Sequence, residues 1–106
     1  MTFNTGSALM EALVLSAVDH SDTYGYKITQ DVRNVVEVSE STLYPVLRRL
    51  QKEGYLAAYD QAFAGRNRRY YTITPQGKSH LALCREEWQG YRERIENLLF
   101  GGMHDE

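Results

Sequence analysis

Two groups of side chains in this chain have the types and spacing to do chemistry. For both, the chemistry is contact with an anion, not the breaking of bonds. The first is Ser41, Thr42 and Tyr44, followed by Arg48, Arg49 and Lys52. Hydroxyls donate and accept hydrogen bonds, and a guanidinium is a planar fork that matches a phosphate. The second is Arg66, Arg68 and Arg69, three arginines in four residues. No paired carboxylates, nucleophile–base arrangement or phosphate-cradling glycine loop is readable, so an enzyme is not expected. Cys84 is the only cysteine, and His20, His80 and His104 are scattered along the chain. Neither an intramolecular disulfide nor a zinc site is expected from them, and no metal or other cofactor is expected.

The element that must position the first group runs from Val38 into the stretch ending at Tyr59. Leu43, Val46, Leu47 and Leu50 fall at i, i+3, i+4 and i+7, one face of a helix. The opposite face holds Ser41, Pro45, Arg48 and Lys52, with Tyr44 and Arg49 on the flanks. A helix with one apolar face for a core and a hydroxyl-then-cation face outside fits the major groove of DNA. A surface helix with ordinary solvated charges is the plainer alternative. Gly54 ends the helix. Pro45 leaves its start open. With Ser39 as cap, the proline lies past the first turn and removes a backbone hydrogen bond; with Ser41 or Thr42 as cap, it is tolerated within that turn.

The second group sits on a predicted hairpin. Leu56 to Tyr59 reads as one strand, Asp60 to Asn67 as a loop, and Arg68 to Ile73 as the other strand, with Tyr71 and Ile73 on one face. A hairpin directly after such a helix is a wing, which reaches a flanking minor groove or the phosphates. The alternative for its arginines is a charged edge that blocks sheet-to-sheet pairing.

Upstream, Leu9, Met10, Leu13, Val14, Ala17 and Val18 predict a first helix over about Gly6 to Val18. Its apolar stripe is wide, as in a helix that is deeply buried or shared with a partner chain. Asp22 or Thr23 is read as the cap of a second helix, Tyr24 to about Val35, with Ile28, Val32 and Val35 inward. Val36 to Val38 is a connector or minimal strand, and the whole outlines a helix-turn-helix. Residues 1–5 show no pattern. Thr74 and Pro75 open a last helix reaching about Phe100, before Gly101-Gly102 and a short tail. On that helix Leu81, Cys84, Trp88, Tyr91, Ile95 and Leu98 are spaced 3-4-3-4-3, a heptad seam. No second long helix in the chain can meet it, so a second copy is the expected partner.

The 106 residues are 42% hydrophobic and 25% charged, with a net charge of −2. This suits one globular domain whose modest core leaves room for oligomerisation. The charge is unevenly spread. Residues 39–80 hold seven Lys and Arg against three acids, a local +4, and the remainder carries −6. Local charge governs docking more than the total does. The apolar run Ala8–Val18 contains Glu11 and has no basic segment before it, so neither a membrane span nor a signal peptide is expected. With one cysteine, a reducing cytoplasm is the expected compartment.

Four stretches taken in order resemble the PadR family of transcriptional regulators. They are Tyr24-Gly25-Tyr26-Lys27-Ile28, Ser41 to Leu50 (STLYPVLRRL), Glu53-Gly54-Tyr55-Leu56, and Arg68 to Gly77 (RRYYTITPQG). The resemblance covers roughly Leu9 to Leu99, and Pro45 matches the residue usual there. It implies a mainly α fold with a small β-hairpin (α+β): a winged helix-turn-helix over residues 1–74 and a dimerisation helix with a tail over 75–106, one compact domain overall. It also implies a homodimeric repressor on a palindromic double-stranded DNA operator. Ser41, Thr42 and Tyr44 would then meet bases or nearby phosphates, and Lys27, Arg48, Arg49, Arg66, Arg68 and Arg69 would supply phosphate contacts. Leu9, Leu13, Trp88, Tyr91, Ile95, Leu98 and Leu99 would hold the dimer. The single last helix matches the short branch of the family. Some members of that branch sense planar aromatic or cationic, drug-like compounds in a pore at the dimer centre. They carry a tryptophan where Trp88 stands, which would make Leu13, Trp88 and Tyr91 ligand-binding; plain interface packing accounts equally for Trp88. A winged-helix protein-interaction module without DNA binding is the alternative function, supported by the acidic total charge.

Overall fold

The computed structural model describes residues 6–101. In chain order the elements are α1 (Ser7–His20), β1 (Thr23–Tyr24), α2 (Gly25–Arg33), α3 (Glu40–Lys52), β2 (Leu56–Phe63), β3 (Arg66–Ile73) and α4 (Pro75–Leu99). The mainly helical winged helix-turn-helix with a long last helix is therefore present. The expectations for residues 1–5 and for the tail from Gly102 lie outside the described residues.

Ser39 caps α3: its Oγ accepts from the Thr42 amide at 3.2 Å. Pro45 is thus inside the helix, past the first turn, and the Ser41 carbonyl loses its helical donor. Both residues lie on the exposed side, where water can replace that bond. The inward side is the expected one, with Leu43, Val46, Leu47 and Leu50 all buried.

Several boundaries differ from those the sequence predicts, and α1 runs on to His20. Thr23 and Tyr24 do not begin α2. They form β1, which pairs antiparallel with β3 through Thr23↔Tyr71 and Tyr24↔Tyr70. A β-branched and an aromatic residue beside an open strand edge gain ladder bonds there that a helix start would not supply. Tyr24 becomes the residue before α2, with no side-chain cap, and Asp22 accepts a 2.8 Å bond from the Tyr59 hydroxyl. At its other end α2 stops at Arg33, and Val35 is left 67% exposed. The hairpin is also longer than expected. Phe63 pairs with Arg66, so only Ala64-Gly65 remains as a turn, with φ of 51° and 81°. Two positive φ values at the centre of a two-residue loop suit the right-handed twist of the strands. Polar residues from Asp60 to Asn67 hid this because both faces of the distal hairpin are solvated.

The sheet order is β1-β3-β2. One face turns Leu56 and Tyr71 into the core; the other stacks Tyr70 on Tyr59 with Tyr24 edge-on. Behind the sheet, α1 packs on α2, α3, α4 and β3. Its Val14, Leu15 and Val18 are almost fully buried beside Ile28, Val32 and Leu81.

Two sequence motifs meet at the root of the wing. Gly54 has φ 87°, and the Tyr55 amide donates to the Leu50 carbonyl while Gly54 donates to Gln51. This is the six-to-one, five-to-two closure of a helix by a left-handed residue. Thr74 then ties the end of β3 to that turn. Its amide donates to the Tyr55 carbonyl at 3.1 Å, its hydroxyl donates to the Gly54 carbonyl at 2.6 Å, and its Oγ1 accepts from Gly77 at 2.9 Å. A Cβ on Gly77 would lie 2.1 Å from the Tyr55 oxygen, so the close approach requires glycine.

The heptad seam of α4 divides. Leu81 and Cys84 are buried within the chain, filled by α1 and not by a second copy. Farther along, Ile95, Leu98, Leu99 and Phe100 are 41, 84, 65 and 62% exposed. The helix projects past the body, and the molecule as a whole extends over 65 × 26 × 21 Å. The radius of gyration of 16.3 Å exceeds the roughly 13 Å of a compact chain of this length.

Candidate nucleic-acid interface

The outward face of α3 carries Ser41, Thr42, Pro45, Arg48 and Lys52, all exposed. At its N-terminal end the Ser41 and Thr42 hydroxyls each lie 3.0 Å from Ser39 Oγ. Three hydroxyls thus cluster where the helix dipole is positive, a place that favours an anion. Tyr44 is half-buried, with its ring over Gly25; a Cβ on Gly25 would come within 3.3 Å of Tyr44 Cε1.

The two adjacent arginines of α3 part company. Arg48 points outward. Arg49 turns toward α1, where its Nη2 meets Glu11 Oε2 at 2.6 Å. The Glu11 side chain is 15% exposed, so this bond is shielded and ties α3 to α1. One helical step of about 100° separates the two side chains. Only the packing of α1 made the second one structural. Arg49 therefore does not belong with the outward-facing cations.

On the wing, Arg66 and Arg69 are exposed, Arg69 with a loose 3.8 Å pairing to Asp60. Arg68 is half-buried on the face of β3 that carries Tyr70, its guanidinium 4.0 Å from the Tyr24 ring centroid and 4.1 Å from that of Phe63. Two rings hold one cation, so its position is set before any ligand arrives. Arg68 and Arg69 share a cleft of about 570 Å³ with Tyr24, Tyr26, Tyr44 and Tyr71. This cleft joins the start of α2, the middle of α3 and the wing into one surface. Tyr24 and Tyr26 are absent from the site expected from the sequence, since two tyrosines at a helix start carry no signal of their own for an exposed cleft. They flank Gly25, where an added Cβ would crowd the Tyr44 ring at 3.3 Å, and the glycine between two tyrosines is the one signal the sequence offers. Lys27 stands on α2 and bonds Asp31 at 2.7 Å. The hydrogen bond to Asp31, then its charge, raise the Lys27 pKa, so the ammonium stays charged.

The residues expected to bind a ligand or hold the dimer are partly gathered. Leu9, Leu13, Val36, Cys84 and Trp88 line an apolar groove of about 330 Å³ between α1 and α4. Tyr91 does not line it, but its ring centroid is 6.2 Å from that of Trp88. Ile95, Leu98 and Leu99 lie beyond it on the projecting helix. Glu11, His80 and Cys84 converge as well, each with a ligand-type atom within 4.8 Å of the others. Scattered in sequence, two of them are one turn apart on α4, and α1 brings the third across. Among the described residues, no helix is long and apolar enough to cross a membrane.

Comparison with known proteins agrees with this geometry. Residues 14–83 match the family model described as the transcriptional regulator PadR-like family. A transcriptional regulator of Mycobacterium tuberculosis is 33% identical over 92 residues, covering 86% of this chain and 83% of that protein. The structure of smu.1704 from Streptococcus mutans superposes with a TM-score of 0.86 at 37% identity, covering 100% of this chain and 98% of the other. A PadR-like transcriptional regulator from Bacillus cereus gives a TM-score of 0.81 at 28% identity, covering 91% and 96%. On the family match and these relatives, the chain belongs to the PadR-like family of transcriptional regulators, which are DNA-binding winged-helix proteins and not enzymes.

Proposed function

We propose that this regulator is a cytoplasmic repressor that binds a palindromic operator as a homodimer. The α3 face enters the major groove, where Ser41, Thr42 and Tyr44 meet bases or nearby phosphates. Arg48, Lys27 and the wing arginines Arg66, Arg68 and Arg69 lie on the backbone. The observation that carries this reading is the single surface formed by α3, the wing and the tyrosine-lined cleft, with Arg68 held between two rings.

The test is a gel shift with DNA from upstream of the protein's own reading frame, repeated across salt concentrations. With about three to five phosphate contacts per protomer, log affinity falls steeply and linearly with log salt. The half-sites lie about one helical turn apart, or a multiple of it. Binding that ignores salt, or no binding at low salt, would return the protein to the interaction-module reading.

Dimerisation uses the exposed seam of α4 together with Leu9 and Leu13 of α1. The apolar groove at Trp88 favours a second element of this reading, a planar aromatic or cationic effector taken up at the dimer centre. Stacking on an indole contributes about 0.5–1.5 kcal/mol beyond buried area, and a cationic ligand adds a term of similar size. Trp88 is the only tryptophan, so its fluorescence during a titration with planar dyes reports the site directly. Saturable quenching at micromolar dye supports the effector; no quenching across a broad dye panel removes it and leaves the repressor.

A further inference from the structure

The Glu11–His80–Cys84 cluster is outside the DNA-facing surface. His80 and Cys84 are four residues apart and share one face of α4, and Glu11 meets them from α1. The three donors are a carboxylate, an imidazole and a thiol, a combination that suits borderline-soft divalent cations. Cys84 is 4% exposed, whereas the Glu11 and His80 side chains are 15 and 26% exposed, so water reaches the cluster from their side.

The geometry is close to what a tetrahedral ion needs. Ligand atoms on such an ion stand about 3.3–3.6 Å apart. Glu11 Oε1 and His80 Nε2 are already at 3.0 Å, and all three atoms lie within 4.8 Å. Side-chain rotation of about 1 Å closes the remainder. The outer partners of both accessible ligands are also in place. The Tyr55 ring stacks on His80 at 4.2 Å with planes 6° apart, fixing the imidazole. Arg49 holds Glu11 by Oε2, which leaves Oε1 turned toward His80. Such partners orient metal ligands and sustain their affinity.

We infer that Glu11 Oε1, His80 Nε2 and Cys84 Sγ form a site for one divalent cation of the Zn²⁺ class, with water from the open side as fourth ligand. Binding replaces the Nε2–H···Oε1 hydrogen bond: the Cys84 thiol proton goes to solvent, the Nε2 proton is given up to solvent while Nδ1 takes one, and neutral His80 coordinates through Nε2. The dication balances the carboxylate and the thiolate, and Arg49 stays on the outer oxygen. A cation here bears on the same carboxylate that anchors Arg49 of α3 to α1.

The test uses the full chain and Co²⁺ as an optical probe. The expected result is a thiolate-to-cobalt charge-transfer band that saturates at one ion per chain and is displaced by Zn²⁺. Since Cys84 is the only thiol, this band alone assigns the site, even if a Cys84 variant folds poorly. Cys84→Ser abolishes the band and weakens Zn²⁺ by about 100-fold or more, and Arg49→Met, which removes an outer partner, weakens it by about 10-fold. Saturating Co²⁺ without a charge-transfer band overturns the proposal. So does Zn²⁺ binding by Cys84→Ser with wild-type affinity, which would put the ion on other side chains. None of these measurements uses DNA, so they stand apart from the operator reading.

Discussion

Replacing Leu98 by Asp tests the dimer where the structure makes the stakes calculable. The exposures of Ile95, Leu98, Leu99 and Phe100 amount to about two and a half fully exposed large apolar side chains per protomer. At about 1.5–3 kcal/mol for each, covering them contributes about 4–7 kcal/mol per protomer and twice that per dimer. Association itself costs about 4–15 kcal/mol, so the surplus that holds the dimer is small. Leu98, at 84% exposure, is the largest single share. Its loss removes about 2 kcal/mol per protomer. A carboxylate in the seam adds a desolvation cost of several kcal/mol per dimer. The sum is at least about 5 kcal/mol, more than a thousandfold in dissociation constant. Because Leu98 sits on the projecting part of α4, the protomer keeps its core and its circular dichroism. Sedimentation equilibrium reads the result. Leu98→Asp sediments as a monomer at micromolar concentration, and Leu98→Met, which keeps the apolar volume, remains dimeric. An Asp variant with the wild-type dissociation constant would show that the exposed seam is not the interface.

Four further outcomes follow from particular local geometries. Gly77→Ala forces a Cβ onto the Tyr55 carbonyl and lowers stability by about 3 kcal/mol or more, read as a drop in urea midpoint. Ala64→Asn suits a left-handed turn position better than alanine and raises stability by about 0.5 kcal/mol, seen as a small rise in Tm with no change in DNA affinity. Arg68→Ala flattens the salt dependence of DNA binding by about one unit of slope. Arg49→Ala leaves that slope alone and instead lowers the urea midpoint, since its guanidinium holds α1; equal slopes for Arg68→Ala and wild type would remove Arg68 from the backbone contacts.

What the sequence decided by itself was the content of elements with strong local periodicity. The α3 face is legible from Leu43, Val46, Leu47 and Leu50, because a helix in water must bury its apolar stripe. The start of α4 is legible from Thr74 and Pro75, because cap and first-turn chemistry is local. Tertiary structure decided whatever depended on a neighbour distant in sequence. Thr23 and Tyr24 became strand because β3 offered an edge, and the polar hairpin extended to Phe63 and Arg66 because paired backbones need no hydrophobic pattern. Cations followed the same division. Periodicity puts Arg48 on the outward face and Arg49 only on its flank, but that Glu11, 38 residues away, claims Arg49 follows from packing alone. Arg68 reads as one more surface charge until Tyr24 and Phe63 close on it. The convergence of Glu11, His80 and Cys84 had no sequence signal beyond a His and a Cys one turn apart, because the third donor comes from a helix that only packing brings alongside.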